Sequence, residues 1–96
     1  MFVIRNVFKC KPGKAKALAE KLKEANTYLT DVVANHRVMV DEVASFWTVV
    51  IEFEVEDLAA FEQGMAQYGS RPEVQAAMAG YMDLVDGGGR EIFRIV

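Results

Sequence analysis

The chain has 96 residues, of which 52% are hydrophobic and 26% charged, and it carries a net charge of −3. This length predicts a single domain over residues 1–96, and the composition excludes a disordered or low-complexity chain. No apolar run reaches the roughly 20 residues that span a bilayer, and the first residues have no signal-peptide pattern. We therefore expect a cytoplasmic protein without a membrane partner.

The chain has one cysteine, Cys10, which excludes an internal disulfide and a cysteine-based zinc site. It also has one histidine, so the usual metal ligand sets are missing unless carboxylates or a second copy contribute. We expect no metal site and no cofactor. All six lysines lie before residue 24 and are mixed with acids rather than aromatic residues. This pattern is typical of a solvated helix face, and we expect no nucleic-acid partner.

The first predicted elements are a strand and a helix. Phe2–Lys9 is rich in β-branched and aromatic residues and is followed by the turn residues Pro12-Gly13. Apolar residues at spacings of three and four then predict a helix from Lys14 to about Val33. The apolar stripe of this helix consists of Leu18, Leu22, Ala25, Leu29 and Val32.

A β-hairpin is predicted next. His36–Val43 and Phe46–Val55 show alternating hydrophobicity, and the short Ala44-Ser45 link predicts an antiparallel pair. The apolar face of the second strand consists of Trp47, Val49, Ile51, Phe53 and Val55. Its mixed face consists of Phe46, Thr48, Val50, Glu52 and Glu54.

The last third of the chain predicts a broken helical segment and a final strand. Glu56-Asp57 places acids at the start of a helix, and Gly69 interrupts it. The Ser70–Glu73 segment has the form of a capping box and predicts a second helix start. Gly87–Gly89 is predicted as a flexible loop or flap, and Arg90–Val96 as the last strand.

The order of these elements predicts an α+β, ferredoxin-like βαββαβ fold with a four-stranded antiparallel sheet in the order 4-1-3-2. In this fold the helices cover only one face of the sheet. The other face would be a mixed one, more apolar than monomers usually expose. It would carry Phe46, Thr48, Val50, Glu52 and Glu54 of the third strand and Val3, Arg5, Val7 and Lys9 of the first. We therefore expect a homodimer that packs sheet against sheet as a dimeric α/β barrel.

Two segments of the chain resemble a known superfamily, namely Trp47–Gln63 (WTVVIEFEVEDLAAFEQ) and Gly87–Val96 (GGGREIFRIV). They are similar to dimeric α/β-barrel proteins, and among these to NIPSNAP-like and antibiotic-biosynthesis-monooxygenase-like (ABM-like) small proteins. The resemblance implies a cofactor-independent monooxygenase-like enzyme, or a binder of a small organic molecule in the barrel cavity. The alternatives are a non-catalytic ligand-sensing, stress-related or scaffold dimer and, as a minor one, haem binding, because the fold does not select among activities.

Four residues are candidates for catalysis. His36 is the only histidine, and histidine exchanges protons near neutrality. The resemblance to haem-binding barrels also makes it a candidate axial ligand, the alternative being a strand-entry residue bound to water or a helix end. Strand alternation can place Arg5, Glu52 and Arg94 on one sheet face. They would form a charged floor for a carboxylate or enolate, or an ion-pair network that fixes the register of a dimer.

Three further residues are candidates for ligand binding, namely Trp47 and the two residues that flank the helix break, Tyr68 and Arg71. A break of this kind can form the lip of a pocket, or the aromatic side chains can belong to the core. Cys10 follows a lysine, and such a neighbour lowers a thiol pKa. Because no base is near it in sequence, we expect it to be a bystander.

Overall fold

The computed structural model describes residues 1–29 and 33–96. The elements are β1 (Phe2–Cys10), α1 (Ala15–Asn26), β2 (Ala34–Val40), β3 (Thr48–Val55), α2 (Leu58–Ser70), α3 (Pro72–Ala77), a 3₁₀ helix (Tyr81–Leu84) and β4 (Val85–Arg94). The antiparallel sheet has the order β2-β3-β1-β4, which confirms the α+β ferredoxin-like fold and the 4-1-3-2 order. Within the described residues, no helix is long and apolar enough to cross a membrane.

The core lies between the sheet and the helices. Ile4 of β1, Leu18 of α1 and Val49 of β3 are its largest fully buried side chains. Burial along β3 alternates at every second residue, as its sequence predicts. The molecule measures only 18 Å along its shortest axis, which fits one sheet and one helix layer. Residues 1–29 and 33–96 therefore leave the second sheet face without a covering layer.

Helix α1 ends earlier than predicted. The buried members of its predicted stripe are Leu18, Leu22 and Ala25. The helix stops at Asn26, where the hydroxyl of Thr27 donates to the carbonyl oxygen of Glu24 at 2.7 Å. Leu29 follows the helix, and Val32, the last predicted stripe member, lies outside the described residues.

The β2–β3 connection starts and ends differently from the prediction. Trp47 has a φ of 61°, and β3 begins only at Thr48, so Trp47 and Phe46 lie outside the sheet. The backbone N–H of Thr48 donates to the Asp41 carboxylate at 2.9 Å, which closes the connection. The left-handed backbone at Trp47 interrupts the alternation that the sequence extends through it. Strand β2 correspondingly begins two residues and ends three residues earlier than predicted.

The predicted break of the second helical segment near Gly69 is present, and it falls at Arg71, between α2 and α3. Proline disfavours helical geometry in the residue before it, and Arg71, which precedes Pro72, is extended at φ −68° and ψ 132°. The predicted capping box does not form. Ser70 is the last residue of α2, and its hydroxyl donates to the Gln67 carbonyl oxygen at 2.8 Å.

The largest correction concerns Gly87–Gly89, which form part of β4 rather than a loop or flap. Strand β4 therefore begins five residues earlier than predicted, and it ends at Arg94. Gly88 lies opposite Phe8 of β1, and a Cβ atom at Gly88 would lie 2.0 Å from the carbonyl oxygen of Val7. The two strands approach so closely here that only glycine fits.

Candidate functional site

Four charged side chains cross the uncovered face of the sheet. Arg5 of β1 lies between two carboxylates. Its Nη1 is 3.3 Å from the carboxylate of Glu52 on β3, and its Nε is 3.2 Å from that of Glu91 on β4. The Nε–H is not aligned to form a hydrogen bond. Arg37 of β2 pairs with the other carboxylate oxygen of Glu52. The Glu52 side chain is only 13% exposed. We term these residues the charge ladder; it neutralises itself and leaves no uncompensated charge to form a ligand-binding floor.

The placement of Arg94 beside Arg5 and Glu52 is wrong. The strand register pairs Arg5 with Glu91 and Phe2 with Arg94, so Arg94 lies on the helix side of the sheet. Its guanidinium carbon lies 5.9 Å from the centre of the Phe2 ring. The sequence alone does not determine the register of β4, because its glycine residues have the composition of a loop.

His36 lies apart from the charge ladder. Its neighbour Arg37 faces the uncovered side, so alternation directs His36 to the helix side. There it lines a recess of about 210 Å³ with Lys23 and Asn26 of α1. This volume is below the roughly 300–1,000 Å³ of ordinary small-molecule pockets. The recess therefore does not enclose a group as large as haem.

Arg71 and Tyr68 flank the helix break, and their side chains are engaged within the fold. Arg71 donates to the carbonyl oxygen of Tyr28 at 3.0 Å, lies 5.3 Å from the Tyr28 ring centre and pairs with Glu73 at 3.0 Å. Tyr68 packs beside the buried Val74, and burial raises the pKa of its hydroxyl, against a smaller lowering by Arg71. These contacts favour the structural alternative, in which both residues fasten the α2–α3 break to the end of α1.

Cys10 is buried, and the direction of its pKa shift is opposite to the one its sequence neighbours predict. Burial, and then the charges of Asp41 and Asp86, raise the pKa of the thiol more than Lys9 lowers it. The thiol is therefore protonated at neutral pH. No group of three His, Cys, Asp or Glu side chains in residues 1–29 and 33–96 could hold a metal ion.

Trp47 lines a recess of about 500 Å³ between α1 and the β2–β3 connection. The recess, which we term the aromatic recess, has Ala15 and Ala19 of α1 on one side and Phe46 and Trp47 on the other. Phe46 is 79% exposed. Of the three ligand-binding candidates from the sequence, Trp47 is therefore the one that lines an open cavity. Arg71 and Tyr68 are instead engaged in contacts within the fold.

The sequence did not reveal a second cavity, between the β1–β4 half of the sheet and the α3 region. Two adjoining hollows, of about 400 and 450 Å³, share Phe8 and Tyr81 in their walls. One is bounded by Gly87–Gly89 of β4, and the other by Met78 and Gly69. We term the two hollows together the glycine cleft; its walls are mainly apolar.

One polar pair lies in the glycine cleft. The Arg90 Nε donates to the Asn6 side-chain oxygen at 2.7 Å, and the Arg90 guanidinium carbon lies 5.8 Å from the Phe61 ring centre. Among the described residues, no carboxylate lies within 4.0 Å of Arg90. The sequence signal that could have revealed this pair is Asn6, a polar residue on the strand face that otherwise consists of Phe2, Ile4 and Phe8.

Several solved structures share this fold over nearly their whole length. A NIPSNAP family protein from Agrobacterium tumefaciens matches with a TM-score of 0.85 at 12% identity, covering 99% of this chain and 92% of the other. An uncharacterised NIPSNAP domain protein from Burkholderia xenovorans matches with a TM-score of 0.83 at 13% identity, covering 100% and 95%. An antibiotic biosynthesis monooxygenase-like protein from Chloroflexus aurantiacus matches with a TM-score of 0.76 at 17% identity, covering 99% and 92%.

No protein-family model and no curated protein matches the sequence. The structural matches confirm that the chain has the fold of NIPSNAP and ABM-like proteins, as its sequence resemblance implies. At these identities the likeness concerns the fold alone, and any activity has to be argued from the side chains.

Proposed function

We propose that the protein binds a small, largely apolar organic molecule in the glycine cleft. One observation carries this proposal: mainly apolar walls adjoin a single cation, the exposed Arg90, that no carboxylate in the described part of the chain neutralises. Each hollow has a volume in the ordinary range for ligand pockets. Phe8, Met78 and Tyr81 would contact the body of the ligand, and Arg90 would hold an oxygen substituent.

The position of Arg90 also supports a finer proposal about chemistry. A phenol or enol bound beside a guanidinium loses its proton more readily, because the positive charge stabilises the oxyanion. Having released its proton to water, such an anion would react with dissolved O2, the oxidant, in cofactor-independent, monooxygenase-like chemistry. In this proposal Arg90 takes the role for which the sequence offers Arg5, Arg94 or His36. Oxygen uptake by the protein with a phenol and no added cofactor tests it.

We also propose that the protein is a homodimer joined through the uncovered sheet face. The register of β4 places Phe93, which is 53% exposed, opposite Val3 on that face. The other apolar residues of the face are Val7, Met39 and Val50. A second copy would remove this apolar surface from water. The paired charges of the ladder lower the desolvation cost of burying it, since each ion keeps its partner.

Ligand titration of the purified protein tests the proposed binding site. Calorimetry with 1-naphthol, a bicyclic phenol, should show saturable binding to the wild type. A Cβ atom at Gly69 meets nothing within 4 Å, so Gly69→Leu should fill the hollow and weaken binding at least tenfold, or about 1.4 kcal/mol. Gly69→Ala is the size control, and it should change the affinity less than Gly69→Leu.

A matched pair of arginine variants tests the contribution of the Arg90 charge to ligand binding. Arg90→Gln should weaken 1-naphthol binding, whereas Arg94→Gln should not, because Arg94 is on the same strand and sheet side but does not line the cleft. Binding that is equal in all variants would contradict the assignment of the cleft. Absence of binding by 1-naphthol to the folded wild type would favour the non-catalytic scaffold alternative.

A further inference from the structure

The aromatic recess has the features of a second ligand site that is independent of the proposed function. It shares no lining residue with the glycine cleft. Its volume of about 500 Å³ lies within the range of small-molecule pockets. Its walls combine two aromatic side chains with charged residues of α1, whereas the glycine cleft has one cation among apolar groups.

The aromatic side of the recess is held in a strained backbone conformation. Trp47 has a φ of 61°, in a region that bulky residues seldom occupy because it strains the backbone. Two hydrogen bonds from β1 fix this conformation. The N–H of Cys10 donates to the Trp47 carbonyl oxygen at 2.8 Å, and the Lys9 ammonium donates to the Phe46 carbonyl oxygen. These bonds hold the backbone from which the two rings extend at the edge of the recess.

The opposite side of the recess is formed by small residues. Ala15 and Ala19 lie one turn apart on α1, so their side chains share a face. Both are buried, and neither extends far from the helix axis. A flat ring can therefore lie between this alanine surface and the aromatic pair, where a leucine at either position would occupy the space.

The start of α1 is the part of the recess that favours an anionic ligand, since the lining as a whole carries two lysines and two carboxylates. Lys16 lines it from the first turn of α1, a turn that carries no acidic residue, so the positive end of the helix dipole adds to the lysine charge. Lys23 contributes a second ammonium group. Both carboxylates of the recess keep their charge: Asp41, which accepts the N–H of Thr48, lies on the β2–β3 side, and Glu20 lies one turn beyond Lys16.

We infer that the aromatic recess binds a planar aromatic carboxylate. The ring lies between Trp47 and the alanine surface, where it makes stacking and van der Waals contacts. The carboxylate lies at Lys16, close to the start of α1, where the ammonium group and the helix N-terminus both stabilise negative charge.

The indole N–H signal of Trp47 tests this inference, because it is the only tryptophan in the chain. Adding 2-naphthoate to the ¹⁵N-labelled protein should shift this signal in a saturable way. The neutral amide 2-naphthamide should bind at least threefold more weakly, since it lacks the charge that pairs with the ammonium group. Lys16→Gln should produce a similar loss for 2-naphthoate.

Lys21→Gln is the matched control, because Lys21 lies on the same helix but its ammonium donates to the Ala79 carbonyl oxygen, away from the recess. It should leave 2-naphthoate binding unchanged, whereas Phe46→Ala should weaken it. Equal affinities for the acid and the amide, equal effects of the two lysine variants, or an unmoved Trp47 signal would each overturn the inference. None of these outcomes depends on whether 1-naphthol binds in the glycine cleft.

Discussion

Gly88 is a position in the β1–β4 pairing where we expect a substitution to destabilise the fold strongly. A methyl group at this position would lie 2.0 Å from the backbone oxygen of Val7, so Gly88→Ala should force the strands apart. We expect a loss of more than about 2 kcal/mol in the free energy of unfolding. Gly87→Ala, whose Cβ atom meets nothing within 4 Å, should change it by less than about 0.5 kcal/mol. Urea denaturation of both variants measures the difference, and equal values would contradict the close approach.

Cys10 provides a prediction about pH. The pKa of its thiol is raised above the ordinary value of 9.0, chiefly by burial, so the folded chain keeps the thiol protonated. Below pH 9.0 the thiol is protonated in both the folded and the unfolded chain, and it costs no stability. As the pH rises beyond 9.0 the unfolded thiol ionises first, so stability should fall.

Alkylation by iodoacetamide measures this protection of Cys10. At pH 8 the native protein should react at least about tenfold more slowly than the urea-unfolded chain, because the thiolate is the reactive form. The control is a small model thiol in the same urea concentrations. If the native and unfolded chains were alkylated at equal rates, Cys10 would not be buried and the pKa of its thiol would not be raised.

At the scale of elements, Arg71 joins the α2–α3 break to the end of α1. Arg71→Ala removes its hydrogen bond to the Tyr28 carbonyl oxygen and its contact with the Tyr28 ring. We expect a loss of about 1–2 kcal/mol in the free energy of unfolding. Glu73→Gln removes only the exposed ion pair with Arg71 and should cost less than about 0.5 kcal/mol. Thermal unfolding of the two variants compares them, and equal melting temperatures would exclude this role for Arg71.

Elements with a regular pattern could be predicted from the sequence, and those with exceptional backbone geometry could not. The alternation of β3 places its buried residues correctly because a pleated strand directs successive side chains to opposite faces. The start of β4 was missed because glycine ordinarily marks a loop, whereas Gly88 allows close strand contact. Without the register of β4, the sequence also placed Arg94 on the wrong face of the sheet, beside Arg5 and Glu52 in the predicted charged floor.

The charge ladder shows the same limit for the candidate site. The pairing of Arg5 with Glu52 could be predicted, since both lie on mixed faces of neighbouring strands. Arg37 and Glu91 could not, because their membership depends on the register of β2 and β4, and both strands contain irregular pairing. The glycine cleft depends on how α3 and the 3₁₀ helix pack, which no local pattern specifies.

At the scale of the whole molecule, the uncovered sheet face should hold two chains together. Val50 lies on that face between Val7 and Met39, so Val50→Lys should place a charge in the proposed interface. We expect sedimentation velocity to show twice the 10.7 kDa of the chain for the wild type, and at least a 100-fold weaker association for the variant.

Val43→Lys is the control for this experiment, because Val43 is fully exposed on the β2–β3 connection, away from the sheet face. Circular dichroism should show that all three proteins are folded. A wild type that sediments as a single chain at micromolar concentration would contradict the proposed dimer.

The glycine cleft as the ligand site is tested most directly by NMR of ¹³C-labelled methionine methyl groups during titration with 1-naphthol. Met78 and Met82 line the cleft, whereas Met39 lies on the uncovered sheet face. The account predicts saturable shifts of the Met78 and Met82 signals, a stationary Met39 signal, and loss of the shifts in Gly69→Leu. Stationary Met78 and Met82 signals, or shifts that persist in Gly69→Leu, would contradict it.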